Sequence, residues 1–424
     1  MFVQIANTPR NYAWGSPSAI SDLLGSQPTG EPEAELWLGA HPGSPSRIVD
    51  PAETGGFDTL TAWIAADPAR ATGGTHLPYL LKILAAERPL SLQAHPTLAA
   101  AREGFARENA AGLALDAPNR NYKDPLHKPE VIYALSDTFE ALCGFRDVTE
   151  IRAIIAALTE ADARQSLPEP EPLAALASQL RGEPAEALKT AVEWLLSGGA
   201  QVATLVEQVT VLVGGVVVGP GASSDSEVVG EPAATAALLS GPFGAAFATV
   251  RDLSAEYPGD AGVVLSLLLN RVTLKQGEAL FLPAGNIHAY LKGLGVELMA
   301  ASDNVLRGGL TPKYIDVPEL LSVLVFESSP VPYLEAGHPV PGVQEYQPDI
   351  TDFVLVRITP TAGLDARYSP QGAAIVIVTA GSVTVSSATG SVVARRGESF
   401  FVTPDEGALT FSGTGELFLA APGA

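Results

Sequence analysis

The chain has 424 residues and a formal net charge of −22, with 46% of its residues hydrophobic and 17% charged. That length exceeds one average domain and can bury a large core, and the balance describes a soluble globular protein and excludes a disordered one. The negative charge argues against nucleic acid or an anionic membrane as a partner, since either would be repelled.

The most apolar run, residues 209–218, is about half as long as a membrane-spanning helix and is broken by Gly214 and Gly215. Met1 to Trp14 lack the basic-then-apolar pattern of a secretion signal. Cys143 is the single cysteine, so no internal disulfide can form; both features point to the cytoplasm.

In chain order, residues 2–50 mix short apolar runs with turn formers and read as short strands and loops. Trp14 and Trp37 there suit either a core or the wall of a sugar pocket. Residues 56–70, with Leu60, Trp63 and Ile64 at helical spacing, predict one helix ending near Pro68. Next, Ser91-Leu92-Gln93-Ala94-His95-Pro96 reads as a short strand stopped by its proline, with Gln93 and His95 on one face. A helix follows over 97–109.

The stretch Asn121-Tyr122-Lys123-Asp124-Pro125-Leu126-His127-Lys128-Pro129-Glu130 is a loop entering a strand at Val131, and Thr138 to Arg146 closes the first sheet-rich block. From 148 to 261 Ala, Leu and Glu dominate with helical periodicity in 148–158, 171–181 and 184–196, and no histidine occurs. This block is expected to be a helical insertion, with flexible loops at 168–172 and 219–226. Strand character returns at 263–269. Gly277-Glu278-Ala279-Leu280-Phe281-Leu282-Pro283 finds an echo in Gly397-Glu398-Ser399-Phe400-Phe401-Val402-Thr403-Pro404, which suggests two similar antiparallel β-barrels.

The chain has six histidines, and joining Gln93 and His95 to Glu130 and His288 gives a mixed nitrogen and oxygen donor set. Such a set suits zinc or a similar divalent ion in an open catalytic site; the competing reading is ordinary polar residues at strand ends. Five of the seven lysines (Lys82, Lys123, Lys128, Lys292 and Lys313) fall in or beside the segments carrying these residues. In so acidic a chain this points to an anion, most simply a phosphate ester.

At these motifs the chain resembles the type I phosphomannose isomerases. The resemblance rests on Ser91 to Pro96, His127-Lys128-Pro129-Glu130, Phe139 to Phe145, Tyr257-Pro258-Gly259-Asp260 and Ser302-Asp303-Asn304-Val305-Leu306-Arg307-Gly308-Gly309-Leu310-Thr311-Pro312-Lys313. It implies a mainly β protein: a cupin-like (jelly-roll) catalytic domain over 1–147 and 262–325, an inserted α-helical domain over 148–261, and a second cupin-like barrel over 326–424 without metal ligands.

It further implies interconversion of mannose 6-phosphate and fructose 6-phosphate with one zinc ion held on Gln93, His95, Glu130 and His288; a monomer is expected, with an oligomer as the alternative. Arg307 matches the family's active-site arginine. Lys82, Lys128, Lys313, Glu297, Tyr290, His127 and Asp303 match pocket positions. Arg88 departs from the lysine common in relatives, and Ser91, Trp14 and Glu35 are further expected to contact substrate. Moving a carbonyl between C1 and C2 through an enediol needs a proton carrier and a positive centre for the oxyanion. Arg307 and the metal fit the second role; Lys128, Glu297, His127 and Asp303 are candidates for the first. An iron-dependent cupin oxygenase and a non-enzymatic sugar-binding cupin are the alternatives; the first needs no phosphate grip such as the lysine cluster and the Arg307 stretch, and the second needs no metal with an open coordination position.

Overall fold

Two antiparallel sheets carry the chain in the computed structural model, which describes residues 1–74, 76–215, 217 and 231–424. The first 147 residues supply strands β1 (Phe2–Ala6), β2 (Glu35–Leu38), β3 (Arg47–Ile48), β4 (Tyr79–Ala86), β5 (Leu92–Ala94), β6 (Glu130–Ala134) and β7 (Thr138–Phe145). Among them lie helices α1 (Ala19–Leu24), α2 (Leu60–Ala66), α3 (Pro68–Thr72) and α4 (Leu98–Ala110). A helical block follows: α5 (Val148–Asp162), α6 (Pro170–Gln179), α7 (Pro184–Ser197), α8 (Ala200–Leu212), α9 (Pro232–Ser240), α10 (Gly244–Glu256) and α11 (Gly262–Leu265). Strands β8 (Leu269–Lys275), β9 (Ala279–Leu282), β10 (His288–Ala300) and β11 (Leu306–Gly309) then precede α12 (Val317–Val323). The chain ends in β12 (Val343–Tyr346), β13 (Val354–Ile358), β14 (Ala366–Tyr368), β15 (Ala374–Ser386), β16 (Ser391–Arg395), β17 (Ser399–Val402) and β18 (Leu409–Ala421).

The first sheet runs β11-β5-β10-β4-β2, with β6 on β10 and β9, and β7 on β10 and β8. The second runs β12-β13-β18-β15-β17-β1-β3, with β14 and β16 on its flanks. Strand β1 therefore joins the C-terminal strands, through Phe2↔Val402 to Ile5↔Ser399, although the sequence reading placed it with its neighbours in the first 147 residues.

Side-chain alternation explains how the first sheet serves two purposes. Leu36, Leu38, Leu81, Ile83, Val131, Val296 and Leu298 face a shared core with Ile375, Phe401 and Phe418 of the second sheet. Their neighbours Glu35, Trp37, Lys82, Glu130 and Glu297 necessarily face the other way, where they line a cavity. Strand β10 pairs with β5 and β7 through His288 to Lys292 and with β4 and β6 from Gly293 onward. Gly293 has φ 137°, and a Cβ there would lie 2.9 Å from the Cα of Phe139, so only glycine lets β10 turn between the two sets of partners.

The helices cover the face of β5, β7 and β11 that carries Leu92, Ala94, Leu142 and Leu306. In α8 the valines sit in a helix because Val202, Leu205, Val206, Val209 and Leu212 share that core. Burying each such side chain contributes about 1.5–3 kcal/mol, more than the few tenths that a β-branched residue costs in a helix.

Residues 263–269, expected to be a strand, instead form α11 and a 3₁₀ turn before β8 begins at Leu269. The run is almost wholly buried, and a short apolar run without alternation suits a buried helix as well as a strand. The single helix expected over 56–70 is two, because the Asp67 carboxylate accepts from Arg70 N and starts α3 with Pro68 as its first residue. The expected loop at 168–172 contains the first turn of α6, again opened by proline at 170. That at 219–226 lies outside the described residues.

The echoed Gly-Glu motif is structurally the same turn twice. Gly277 and Gly397 have φ 94° and 86°, and Glu278 and Glu398 each accept the backbone N–H three residues earlier at 2.8 Å. Among the described residues no single helix is long and apolar enough to cross a membrane; α7 and α8 qualify only together and are bent by 98°.

Candidate metal centre and active-site pocket

Gln93 alternates with Leu92 and Ala94, which pack under the helices, so its amide faces the cavity. It lies directly across the ladder from His288 on one side and Arg307 on the other. Glu130 opens β6, and His95 follows β5. The ligating atoms of His95, Glu130 and His288 lie within 4.8 Å of one another, and all three side chains are buried. Gln93 Nε2 is 3.3 Å from His288 Nε2; a half-turn of the amide would present its oxygen.

The imidazole orientations test whether a metal fits. His95 Nδ1 lies 2.8 Å from the Asn304 carbonyl and His288 Nδ1 lies 3.0 Å from that of Asn286. A carbonyl only accepts, so each Nδ1 carries hydrogen. The Nε2 atoms point at the Glu130 carboxylate, 3.4 Å away for His95 and 3.3 Å for His288. Burial, outweighing the nearby carboxylate, pushes His95 down to about 4, so its ring is neutral and its lone pair faces an anion. Among the described residues His95 Nε2 and Glu130 Oε2 have no hydrogen-bond partner. Lone pairs and a carboxylate converging without a proton between them are unfavourable alone and complementary to a cation, and carbonyls holding the far nitrogens are the usual support of metal-bound histidine.

Burial works against ionisation of Glu130, yet Lys128 Nζ at 2.7 Å, with His95 and His288, holds its carboxyl well below the usual range. Lys82 is 2.9 Å from Glu297 and 3.4 Å from Glu35, and its ammonium lies 5.2 Å from the Trp37 ring centre. Burial opposes the Lys82 charge, but Glu297, Glu35 and Glu130 outweigh it and raise its pKa. Burial, aided by Glu130 and Glu35, raises that of Glu297. Asp303 is held below its ordinary value against the effect of burial, chiefly by His41, whose Nε2 lies 3.0 Å from it.

Arg307 and Lys313 differ from these paired groups. Neither has an ion-pair or side-chain hydrogen-bond partner among the described residues, and burial lowers the pKa of both, with Arg307 itself adding to the effect on Lys313. Unpaired cations on the wall of a cavity of about 600 Å³ make an anion site. A groove of about 770 Å³ between α5 and α6 is larger, but no comparable set of donors converges on it.

The cavity gathers Trp14, Glu35, Lys82, Ser91, Gln93, Lys128, Glu130, Tyr290, Glu297, Asp303, Arg307 and Lys313. His95 and His288 are buried beside Glu130, and two other expected members stand elsewhere. His127 points away and pairs with Asp352 at 3.0 Å, because successive residues of an extended segment face opposite ways and Lys128 takes the inward direction. Arg88 sits in the turn after β4 with its side chain 61% exposed, 3.8 Å from Glu256. Of the clustered lysines, Lys292 is exposed and paired with Glu87, and Lys123 donates to the carbonyls of Leu115 and Ala117.

Since His127 and Asp352 are both partly exposed, His127→Ala should cost no more than about 1 kcal/mol of stability and leave turnover essentially unchanged. Steady-state kinetics beside thermal unfolding would check this, and a large loss of kcat in the folded variant would return His127 to the site.

Residues not singled out in the sequence also serve the site. Asn304, fully buried, accepts from Lys123 N at 2.7 Å and donates to the carbonyls of Asp124 and Leu126 at 2.8 Å each. It thus fastens the loop before Glu130 to the carbonyl that orients His95. His41 orients Asp303, and its position in Gly39-Ala40-His41-Pro42, a loop after β2, was the available signal.

Fold and site together define a mainly β protein with a buried divalent-metal donor set opening on an anion-binding cavity. Residues 2–148 match the family described as phosphomannose isomerase type I, catalytic domain. The mannose-6-phosphate isomerase of Escherichia coli (strain K12) is 36% identical over 98% of this chain and 98% of its own. An alanine variant of phosphomannose isomerase from Salmonella typhimurium superposes with a TM-score of 0.82 at 32% identity, covering 100% of both chains. A zinc-bound mannose 6-phosphate isomerase does so with a TM-score of 0.80, also at 32% identity and 100% coverage of both. The chain belongs to the type I phosphomannose isomerase family.

Proposed function

We propose that this chain is a zinc-dependent aldose-ketose isomerase that interconverts mannose 6-phosphate and fructose 6-phosphate. One observation carries the reading: Glu130, whose carboxylate faces the buried His95 and His288, lines the same cavity as Arg307 and Lys313, two cations without an ion-pair partner among the described residues. Relatives and solved structures of that activity cover nearly the whole chain and support it.

Gln93, His95, Glu130 and His288 would hold one zinc ion. When bound, it would supply Lewis-acid polarisation of the substrate carbonyl and charge for the developing oxyanion. Arg307, opposite Gln93, adds a second positive charge toward that oxyanion; Lys313 and Ser91 engage the phosphate. Trp14, Tyr290 and Glu35 shape the sugar's surroundings. Of the proton carriers to and from the enediol, Lys128, Glu297 and Asp303 remain as pocket-lining groups, while His127 is set aside by its pairing with Asp352. Glu297 is favoured by its raised pKa, which brings a carboxylate closer to the range where it both takes and returns a proton.

We read the first sheet as a cupin-like catalytic domain, 148–261 as a helical insertion, and the C-terminal strands as a second cupin-like barrel completed by β1 and β3. A monomer in the cytoplasm fits this reading, and the lone buried Cys143 suits a reducing compartment.

A coupled assay for fructose 6-phosphate formed from mannose 6-phosphate, before and after chelator treatment, tests the proposal. Activity should vanish with chelator and return with added zinc. A folded, zinc-loaded protein that turns over no mannose 6-phosphate would sink it.

A further inference from the structure

Tyr257-Pro258-Gly259-Asp260, the turn that ends α10, contributes none of the donors or cations above, yet it touches both sides of the cavity mouth. Tyr257 Oη donates to the Pro89 carbonyl at 2.6 Å, two residues before Ser91. Asp260 Oδ1 accepts from Gly262 N at 2.7 Å and Leu310 N at 3.0 Å, and its Oδ2 accepts from Thr311 N at 3.1 Å. Those last two N–H groups belong to the stretch between Arg307 and Lys313.

That stretch is held in a conformation it would not choose. Leu310 has φ 55°, and among the described residues no other non-glycine residue has a positive φ. A branched apolar side chain in the left-handed region is uncommon, and such a residue persists only where its surroundings enforce it. The enforcement is visible on both strands of contact. A Cβ on Gly309 would lie 2.8 Å from the Gly262 Cα, and a Cβ on Gly262 would lie 2.8 Å from Leu310 N. The two backbones therefore run against each other, with the Asp260 carboxylate filling the remaining hydrogen bonds and the Leu310 side chain packed into the helical core.

We propose that Asp260 is a positioning residue, whose carboxylate fixes Leu310 and Thr311 so that Arg307 and Lys313 are both presented to one anion. The helical block thereby sets the anion affinity of a pocket to which it lends no cation. The inference rests on the reading of this cavity as a sugar-phosphate site, and inorganic phosphate is the probe that separates the two.

The measurement is calorimetric titration of zinc-loaded protein with inorganic phosphate, alongside steady-state kinetics with mannose 6-phosphate and thermal unfolding. Asp260→Ala leaves three N–H groups without their acceptor and frees the loop, so phosphate Kd and substrate KM should each rise about tenfold or more, the size expected when a preorganised site must be ordered on binding. Asp260→Asn keeps an oxygen for Gly262 and Leu310 but turns an N–H toward Thr311. It should lie between, with Kd raised about two- to threefold by the partial loss of one hydrogen bond. A folded Asp260→Ala protein binding phosphate within twofold of wild type overturns the proposal. If that variant does not fold, Asp260→Asn decides, and an unchanged Kd there overturns it equally. Wild-type protein that binds phosphate but does not isomerise mannose 6-phosphate would overturn the substrate reading, while the ratio of phosphate affinities still judges Asp260.

Discussion

Replacing Glu130 with glutamine is expected to strip the metal from the protein and abolish isomerisation. The carboxylate is the one anion among the proposed ligands, 1% exposed, and it faces two imidazole lone pairs and the Lys128 ammonium. Glutamine keeps the shape and removes the charge. Losing a supporting residue outside the donor set already costs about 10- to 100-fold in metal affinity, so loss of the charged ligand should exceed about 100-fold by the same yardstick. The apo-protein should suffer too, because Lys128 would stay buried without its partner, and breaking a buried pair from one side costs about 3–5 kcal/mol. Zinc content after dialysis, measured by elemental analysis with unfolding curves beside it, checks both parts. A variant that retains one zinc per chain and wild-type turnover would remove Glu130 from the centre.

How far the sequence foretold the structure depends on the range of the cause. The helix that follows Pro96 and the periodic helices α5 and α7 follow from local spacing and stand where expected, and so does the strand carrying Gln93, although it ends at Ala94, before His95. Residues 263–269 were misread because nothing local separates a buried helical turn from a buried strand; the surrounding helices decide it. The attachment of β1 to β17 is a pairing across nearly the whole chain, with no sign in either segment of which sheet it joins.

The same distinction runs through the site. His95 and His288 stood out because the chain has only six histidines, and His288 and Glu130 begin strands recognisable from turn signals. His127 and Lys128 are adjacent, and composition cannot say which faces inward. The pairing of His127 with Asp352, 225 residues away, is a tertiary fact. His41, Asn304 and Asp260 act by holding other groups. Such residues look like ordinary loop polar residues until the atoms they bond, 180 residues away for Asn304 and Asp124 and 50 for Asp260 and Leu310, are in place.

Arg307→Ala should separate function from stability more cleanly than any other substitution in this pocket. An arginine in a salt bridge would be missed by the fold when removed, but Arg307 has no carboxylate partner among the described residues and is partly buried. Its partial burial without a counter-charge is a cost to the folded protein, of the kind carried where a site must meet an anion. Removing it should therefore leave the unfolding midpoint unchanged or slightly raised. Turnover should fall about 10²- to 10³-fold, the loss that follows when one preorganised donor to a developing oxyanion is deleted. Arg307→Lys should recover only part of this, since a point charge on a flexible stem does not reproduce a planar fork facing Gln93 across the ladder. Paired measurements of kcat and thermal unfolding on both variants decide the matter. Should Arg307→Ala unfold several degrees earlier and keep its kcat, the guanidinium is structural and the positive centre for the oxyanion must be sought in Lys128 or Lys82.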